Sequence, residues 1–494
     1  MPDLPEEIYS AQQVREFDRA ALDTLDISAY ELMCRAGDAA LRALETHWPQ
    51  ARRLTIFCGA GNNAGDGYVL GRLAARGGFE IRVIAVTPPD RLSGAAASAW
   101  EDFSTGGGAI EPLSTELSFA EDLIVDGLLG TGLDRDLDGA FMAAVAAINA
   151  APNPVLALDI PTGLHADTGL PMGAAVHADV TITFVGLKSG LFLGGAPDYR
   201  GVVEFAGLGI PDEVYAQQPP ALERLSSDTL REALPPRRPS THKGSHGSLL
   251  LVGGSPGLAG AIRLAGEAAL RAGAGLVRVA THPDCVASVV AGRPEIMCQG
   301  LTEPAELDAL IDVADGVVLG PGLGRSDWAR RLMERLLETE LPIVLDADGL
   351  NMLAEQPRAR GNWVLTPHPG EAARLLQCSV DEVQSDRLQA ALSLAERYQA
   401  VVILKGAGSL VASPGEPGVA VCDRGNPGMA TAGMGDVLAG IVGALRVQTA
   451  DGRLAARAGV LLHALAGDAA VTDGQRGLVA RDLMPHIRRW ANPT

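Results

Sequence analysis

LTIFCGAGNNAGDGYVLGRLAARG, residues 54–77, sets an apolar run of strand length before a glycine-rich polar turn and a stretch with helical spacing. A strand apolar along its whole length is buried on both faces, as in a parallel sheet, and parallel neighbours need crossover helices. The theme recurs at 81–86 (IRVIAV), 122–132 (DLIVDGLLGTG), 154–163 (PVLALDIPTG) and 180–190 (VTITFVGLKSG). Upstream, 10–25 and 29–48 carry apolar residues three and four apart and read as helices. Residues 211–245, rich in proline and polar side chains, break the pattern. It restarts with SLLLVGGSPGLAGAIRLAGEAALRAG at 248–273 and continues through GVVLGPGLG, PIVLDADGL, WVLTPHPG and AVVILKGAG. The expectation is two α/β domains, a Rossmann-like three-layer sandwich in 1–212 and a second α/β domain in 240–494, with a linker at 213–239. Parallel sheets take ligands at the carboxyl ends of their strands, and most of the chemistry-bearing residues fall just there.

Composition narrows the function classes. The 494 residues include 60 acidic and 40 basic side chains, a net charge of −20. Non-specific binding to nucleic acid or to an anionic membrane is therefore not expected, and a polyanionic ligand must be met in local pockets of backbone N–H groups. The 59 glycines and 4% aromatics suit tight loops and closely packed helices. Six scattered cysteines form no CxxC pair, so neither a zinc site nor a disulfide framework is indicated. MPDLPEEIYS lacks the apolar centre of a signal peptide, and no run of 18 apolar residues occurs. A reducing, cytoplasmic setting is expected. Only three of the basic residues are lysines, Lys188, Lys243 and Lys405, each beside glycine or within a glycine-rich stretch. Lysine kept for places needing a compact ammonium explains this, as does a GC-rich codon bias.

In the first domain, Gly59 to Ala64 fits GxGxxA after a strand. The acidic residue such a dinucleotide fingerprint requires about 20 positions on is missing, because Glu80 precedes its strand. An ordinary dehydrogenase is rejected. Asn62, Asn63 and Asp66 instead suit a hydroxyl, a cation or a carboxamide, or else an Asx-type turn with an N-cap aspartate. Asn63, Asp126 and Thr162 are oxygen donors at three strand ends, a set that suits a hard cation and excludes a zinc-like site.

In the second domain no GxxxxGK[ST] occurs. Gly433-Met434-Gly435-Asp436 leads into an apolar helix, where free N–H groups face an anion and a carboxylate can take a hydroxyl proton. The plain alternative is a helix cap. Lys405-Gly406-Ala407-Gly408-Ser409 offers an ammonium, N–H groups and a hydroxyl to phosphates. His368 stands between prolines after an apolar strand. Asp346 and Asp348 either position magnesium or cap the next helix.

SAQQVREFD, GNNAGDG, DGLLGTG, ALDIPTGL and TFVGLKSGL, in that order within 9–210, resemble the NAD(P)HX epimerase family. HKGSHGSLLLVGGS, GPGLG, DADGLN, TPHPGE, LKGAGS and NPGMATAGMGDVLAG, across 241–490, resemble the ribokinase-like fold and, within it, the ADP- or ATP-dependent NAD(P)H-hydrate dehydratases. The resemblance implies a metabolite-repair enzyme acting on hydrated NADH and NADPH (NADHX and NADPHX). One half would interconvert R and S epimers; the other would dehydrate the S form, turning ADP into AMP and phosphate. It further implies that Asn62, Asn63, Ala64, Gly65 and Asp66, with Gly130, Thr131, Gly132, Leu133, Asp134, Arg135 and Asp136, hold the epimerase substrate. Asp159 would transfer a proton with help from Lys188, and Asn63, Asp126 and Thr162 would ligate K+. In the other half Ala261, Gly322, His368 and Asp436 would contact the hydrate, with Asp436 as base. Lys405, Gly406, Ala407, Gly408, Ser409 and Gly435 would hold the nucleotide, with Mg2+ accompanying ADP. A homo-oligomer is expected. Two alternatives are a ribokinase-like small-molecule kinase with a non-catalytic N-terminal domain, and a dinucleotide-sensing protein. Ala64 stands where the first family usually has glycine, predicting a reshaped loop. Ala432 and Met434 replace a usual glycine and threonine, predicting one weaker phosphate contact.

Overall fold

A computed structural model describes residues 4–114, 119, 121–415 and 418–493; residues 1–3 and 494, which the expected domain bounds include, lie outside it. Two compact units divide between Glu223 and Arg224. The expected linker at 213–239 is not a bare tether. It carries helices at Asp212–Tyr215 and Ser227–Ala233 and a strand at Leu222–Arg224. Val214 is buried in the core of the first unit, and Leu225, Leu230 and Ala233 in that of the second. Proline and polar residues hid these short elements because each buries only one or two side chains.

In the first unit the chain runs α1 (Ala11–Leu25), α2 (Ala29–His47), β1 (Arg53–Cys58), α3 (Asn62–Arg76), β2 (Glu80–Ala85), α4 (Gly94–Thr105), β3 (Ile110–Pro112), β4 (Leu123–Gly127), α5 (Gly139–Ala150), β5 (Val155–Leu158), β6 (Val180–Phe184) and β7 (Val202–Ala206). Ser10 and Gln13 form a capping box that starts α1. The sheet order is β3-β2-β1-β4-β5-β6-β7 with every pair parallel. Alternate residues face alternate layers: Ile56 and Val125 pack with α2 and α3, whereas Phe57 and Ile124 pack with α5. The unit is thus a three-layer sandwich. Strand order reverses between β1 and β4, opening a crevice at their carboxyl ends.

Residues 62–67 form no loop. Gly61 is the N-cap and α3 begins at Asn62. Ala64 is helical and buried, with no positive φ, so its methyl group meets no backbone penalty there; alanine is the best helix former. Asp66, deep in the helix, is no N-cap either.

The second unit runs β8 (Ser248–Val252), α6 (Ala259–Arg271), β9 (Leu276–Thr281), β10 (Met297–Gly300), β11 (Gly316–Leu319), β12 (Ile343–Leu345), α7 (Asp348–Glu355), β13 (Trp363–Leu365), α8 (Pro369–Leu376), α9 (Arg387–Tyr398), β14 (Val401–Leu404), β15 (Ser409–Ala412), β16 (Val419–Cys422), α10 (Met434–Gln448) and α11 (Gly452–Ala469), among shorter pieces. The order is β10-β9-β8-β11-β12-β13-β14-β15-β16, parallel through β14 and antiparallel beyond. One core joins the sheet to α6, α10 and α11. It permits very close helix contact, because a Cβ on Gly440 of α10 would stand 2.0 Å from the carbonyl oxygen of Ala265 in α6. Gly440→Val should therefore push the two helices apart at a cost of about 1–3 kcal/mol, read as a lowered urea unfolding midpoint. An unchanged midpoint would contradict this contact.

Candidate functional site

In the first unit, Asp159 follows β5 with φ at +66°, a left-handed conformation that non-glycine residues rarely hold. That turn aims its carboxylate at Lys188, whose side chain is only 1% exposed. The Lys188 ammonium is ion-paired with Asp159 Oδ1 and donates to Thr183 Oγ1 (3.0 Å) and the Phe184 carbonyl (2.7 Å). Two more carboxyls face the pair. Burial pushes Asp18 of α1 up to about 6, with Lys188 opposing and Asp159 adding to the rise. Burial, reinforced by Asp159 and Asp18, drives Asp66 well above the usual carboxylate range. Lys188 thus stands against three carboxyl groups, and the two with raised pKa are poised to carry protons.

The cation donor set lies around the turn after β4. Asp126 is fully buried and accepts from Thr162 Oγ1 (2.7 Å), Thr162 N (2.8 Å) and Leu128 N (3.2 Å); burial raises its carboxyl to about 6. Both amide atoms of Asn63 are buried without a partner. A Cβ on Gly130 would lie 3.4 Å from Asp159 Oδ2 and 3.6 Å from Asn63 Cγ, so Asn63, Gly130 and Asp159 meet at one place. An orphaned amide beside carboxylate and hydroxyl oxygens fits a weakly charged hard cation. Thr131 and Leu133 are half-buried, whereas Gly132, Asp134, Arg135 and Asp136 are exposed.

In the second unit, Gly433 caps α10 with φ at +89°. Asp436, third in the helix, makes no capping bond, which removes the cap reading. Burial and the neighbouring Asp346 push its carboxyl up to about 7, against Lys405. Lys405 Nζ is 2.8 Å from Asp346 Oδ1 and 3.8 Å from Glu371 Oε2. Burial disfavours this ammonium, but the two carboxylates win and its pKa rises. Asp346 also accepts from Thr366 Oγ1 (2.7 Å). A Cβ on Gly435 would stand 3.3 Å from Lys405 Nζ, so the start of α10 and the turn after β14 share one site. Asp348 accepts from Gly324 N at 2.8 Å, and α7 has no side-chain cap; neither acid caps the helix. A Cβ on Gly322 would lie 3.1 Å from Ala261 Cβ. His368 caps α8 through Nδ1, which accepts from Gly370 N at 3.0 Å; its Nε2 lies 3.5 Å from Glu371 Oε1 on an exposed ring. Met434 packs into the core and gives the turn no hydroxyl. Lys243 is exposed at the amino end of β8, unlike the other two lysines.

The N-terminal part matches the family model described as YjeF-related protein N-terminus over residues 29–190, and the C-terminal part matches NAD(P)H-hydrate dehydratase over 249–489. The bifunctional NAD(P)H-hydrate repair enzyme of Coxiella burnetii is 46% identical, covering 98% of this chain and 99% of its own. That of Escherichia coli K12 is 45% identical, covering 99% and 95%. This chain belongs to the bifunctional NAD(P)H-hydrate repair enzyme family. Within it, the C-terminal unit is similar to the ADP/ATP-dependent NAD(P)H-hydrate dehydratase of Bacillus subtilis, co-crystallised with ATP/Mg2+: 28% identity, TM-score 0.50, 54% of this chain and 96% of that one. The C-terminal unit is ribokinase-like.

Sequence reasoning about the repair enzyme passed over Asp18, Thr183 and Glu371. Asp18 ends the SAQQVREFD motif, in a helix where an acid reads as solvated surface; only packing brings it to Lys188. Glu371 accepts from His368 N at 2.8 Å and is raised to about 7 by burial, with Lys405 opposing. A carboxyl whose folded pKa exceeds its unfolded value of about 4 holds its proton more tightly when folded. Its contribution to stability is complete below about pH 4 and is lost as pH rises through the folded value. Asp436→Asn should therefore melt at a higher temperature than the parent at pH 8.5 and show little difference at pH 4.5, by calorimetry.

Proposed function

We propose that this chain repairs hydrated NADH and NADPH: the N-terminal unit interconverts the C6 epimers, and the C-terminal unit dehydrates the S epimer at the expense of ADP. The observation that carries the reading is Asp436, an uncapped, desolvated carboxyl with a pKa near neutrality, beside Gly435 and the Lys405 ammonium.

At that site the proposed base, Asp436, takes the proton from the C6 hydroxyl as the hydroxyl oxygen bonds to the β-phosphorus of ADP and AMP leaves. Hydroxide is a poor leaving group and phosphate a good one. The ring nitrogen then pushes its electron pair toward C6, the C6–O bond breaks with phosphate, and loss of a C5 proton restores the reduced ring. The N–H groups of Gly435, Ala407 and Gly408 would face the phosphoryl oxygens, the last two within the turn from Lys405 to Ser409. His368 would contact the hydrate, whose ring would lie near Ala261 and Gly322. Mg2+ would ride on the diphosphate and neutralise its charge, with Asp346 and Asp348 as the nearest acids. Among the described residues no group of three His, Cys, Asp or Glu side chains could hold a metal ion, as suits an ion bound mainly through phosphate.

In the N-terminal unit Asp159 and Lys188 exchange the proton that accompanies inversion at C6, with the turn from Gly130 to Asp136 and residues Asn62–Asp66 around the dinucleotide. Asn63, Asp126 and Thr162 would hold K+, a fixed positive charge near the bound anion. The donor is ADP, the partners are NADHX and NADPHX, and the setting is the cytoplasm, where these cofactors turn over.

Mixed hydrate epimers incubated with ADP should regain the near-ultraviolet absorbance of reduced cofactor. Asp436→Asn should slow this by about 10²–10⁴-fold while leaving epimer interconversion, followed by chromatography, intact. Asp159→Asn should do the reverse, stranding the R epimer. Replacing K+ by a larger organic cation should slow interconversion alone. A phosphorylated hydrate that accumulates without return of reduced cofactor would point to a kinase instead.

A further inference from the structure

Arg387 opens α9 beneath the turn that follows β14, and it is 5% exposed. Its Nη2 approaches the carbonyl oxygens of Leu404 (3.4 Å), Lys405 (3.3 Å) and Gly408 (3.4 Å), and its Nη1 donates to Gln384 Oε1 (2.8 Å). Its Nε is buried without a partner. No carboxylate among the described residues opposes its charge: burial alone acts on the guanidinium, lowering it to about 10, so it stays a cation at neutral pH. The contrast with Arg293, which is paired with Glu267, is direct. The turn is built to admit this group. Gly406 has φ at +148°, and a Cβ there would lie 2.8 Å and 2.9 Å from the two terminal nitrogens.

A buried cation without a counter-ion is costly. A neutral amide could bind the same carbonyls without that cost, so the charge needs another use. The carbonyls of Leu404, Lys405 and Gly408 converge on Arg387, which fixes the shape of the turn. We infer that Arg387 is a positioning residue of the nucleotide site, holding the carbonyls of residues 404–408 so that the N–H groups of Ala407 and Gly408 meet the phosphates of a nucleoside diphosphate, whose negative charge supplies the counter-ion that the protein withholds. This rests on the proposed nucleotide role of that turn.

The test is steady-state kinetics on the full chain with Arg387→Met and Arg387→Lys. Arg387→Met should raise the KM for ADP about tenfold or more, as expected for loss of a charge-assisted contact, with the KM for the hydrate within about twofold and epimer interconversion unchanged. It should also flatten the dependence of the ADP KM on ionic strength. Arg387→Lys, which keeps the charge and loses the planar fork, should show about a threefold rise and decides the matter if Arg387→Met does not fold by circular dichroism. A merely structural role would lower kcat and melting temperature and leave the ADP KM alone. That result, in a folded variant of a parent with normal ADP-dependent turnover, overturns the role of Arg387. A parent without ADP-dependent turnover overturns the nucleotide reading itself and this role with it.

Discussion

Each unit buries a lysine ammonium at the carboxyl edge of its sheet and relies on an aspartate there to keep it: Lys188 with Asp159, Lys405 with Asp346. Removing one partner of such a pair costs about 3–5 kcal/mol, because a bare charge is left in a poor solvent. The constraint organises what surrounds it. Thr183 and the Phe184 carbonyl complete the shell of Lys188. Thr366 fixes Asp346, and Glu371 shares Lys405. Asp159 accepts a left-handed backbone to reach its lysine, a strain the buried pair sustains.

Once the ammonium is fixed, the other carboxyls near it are in surplus. Asp18 and Asp66 in one unit, and Asp436 and Glu371 in the other, sit in desolvated places where the lysine is already claimed. Their pKa values rise for that reason. The two sites arrive at the same electrostatic arrangement, a satisfied ion pair beside carboxyls raised above their ordinary range, and raised carboxyls of this kind suit proton transfer at neutral pH. Glycine supplies the remaining freedom. At Gly435 and Gly130 the missing side chain leaves room beside the charged groups, and at Gly440 it lets α10 settle onto α6 and so fixes where Asp436 stands.

Much of this was legible in the chain. Uniformly apolar strands announced parallel sheets: the first is parallel throughout, and the second is parallel from β10 to β14 and turns antiparallel at β15 and β16. The GMGD turn at a helix start and the oxygen donors at strand ends could be picked out because their neighbours in sequence are their neighbours in space. GNNAGDG was harder. Its glycines and asparagines read as a loop, yet the residues from Asn62 onward are helix, since burial against β1 and β4 outweighs weak local propensity. The expected linker, 213–239, likewise hid short elements.

The sequence by itself determined the two α/β units, the strand-end turns and the residue types that can bind phosphate or move a proton, because each of these is set within a dozen residues by periodicity and backbone freedom. Only the tertiary structure decided which acids share a lysine, that Asp18 joins the first site and Glu371 the second, and that Arg387 lies without a carboxylate partner under the turn after β14. Those facts depend on desolvation and on distances between segments far apart in the chain, and neither is a property of any stretch of sequence taken alone.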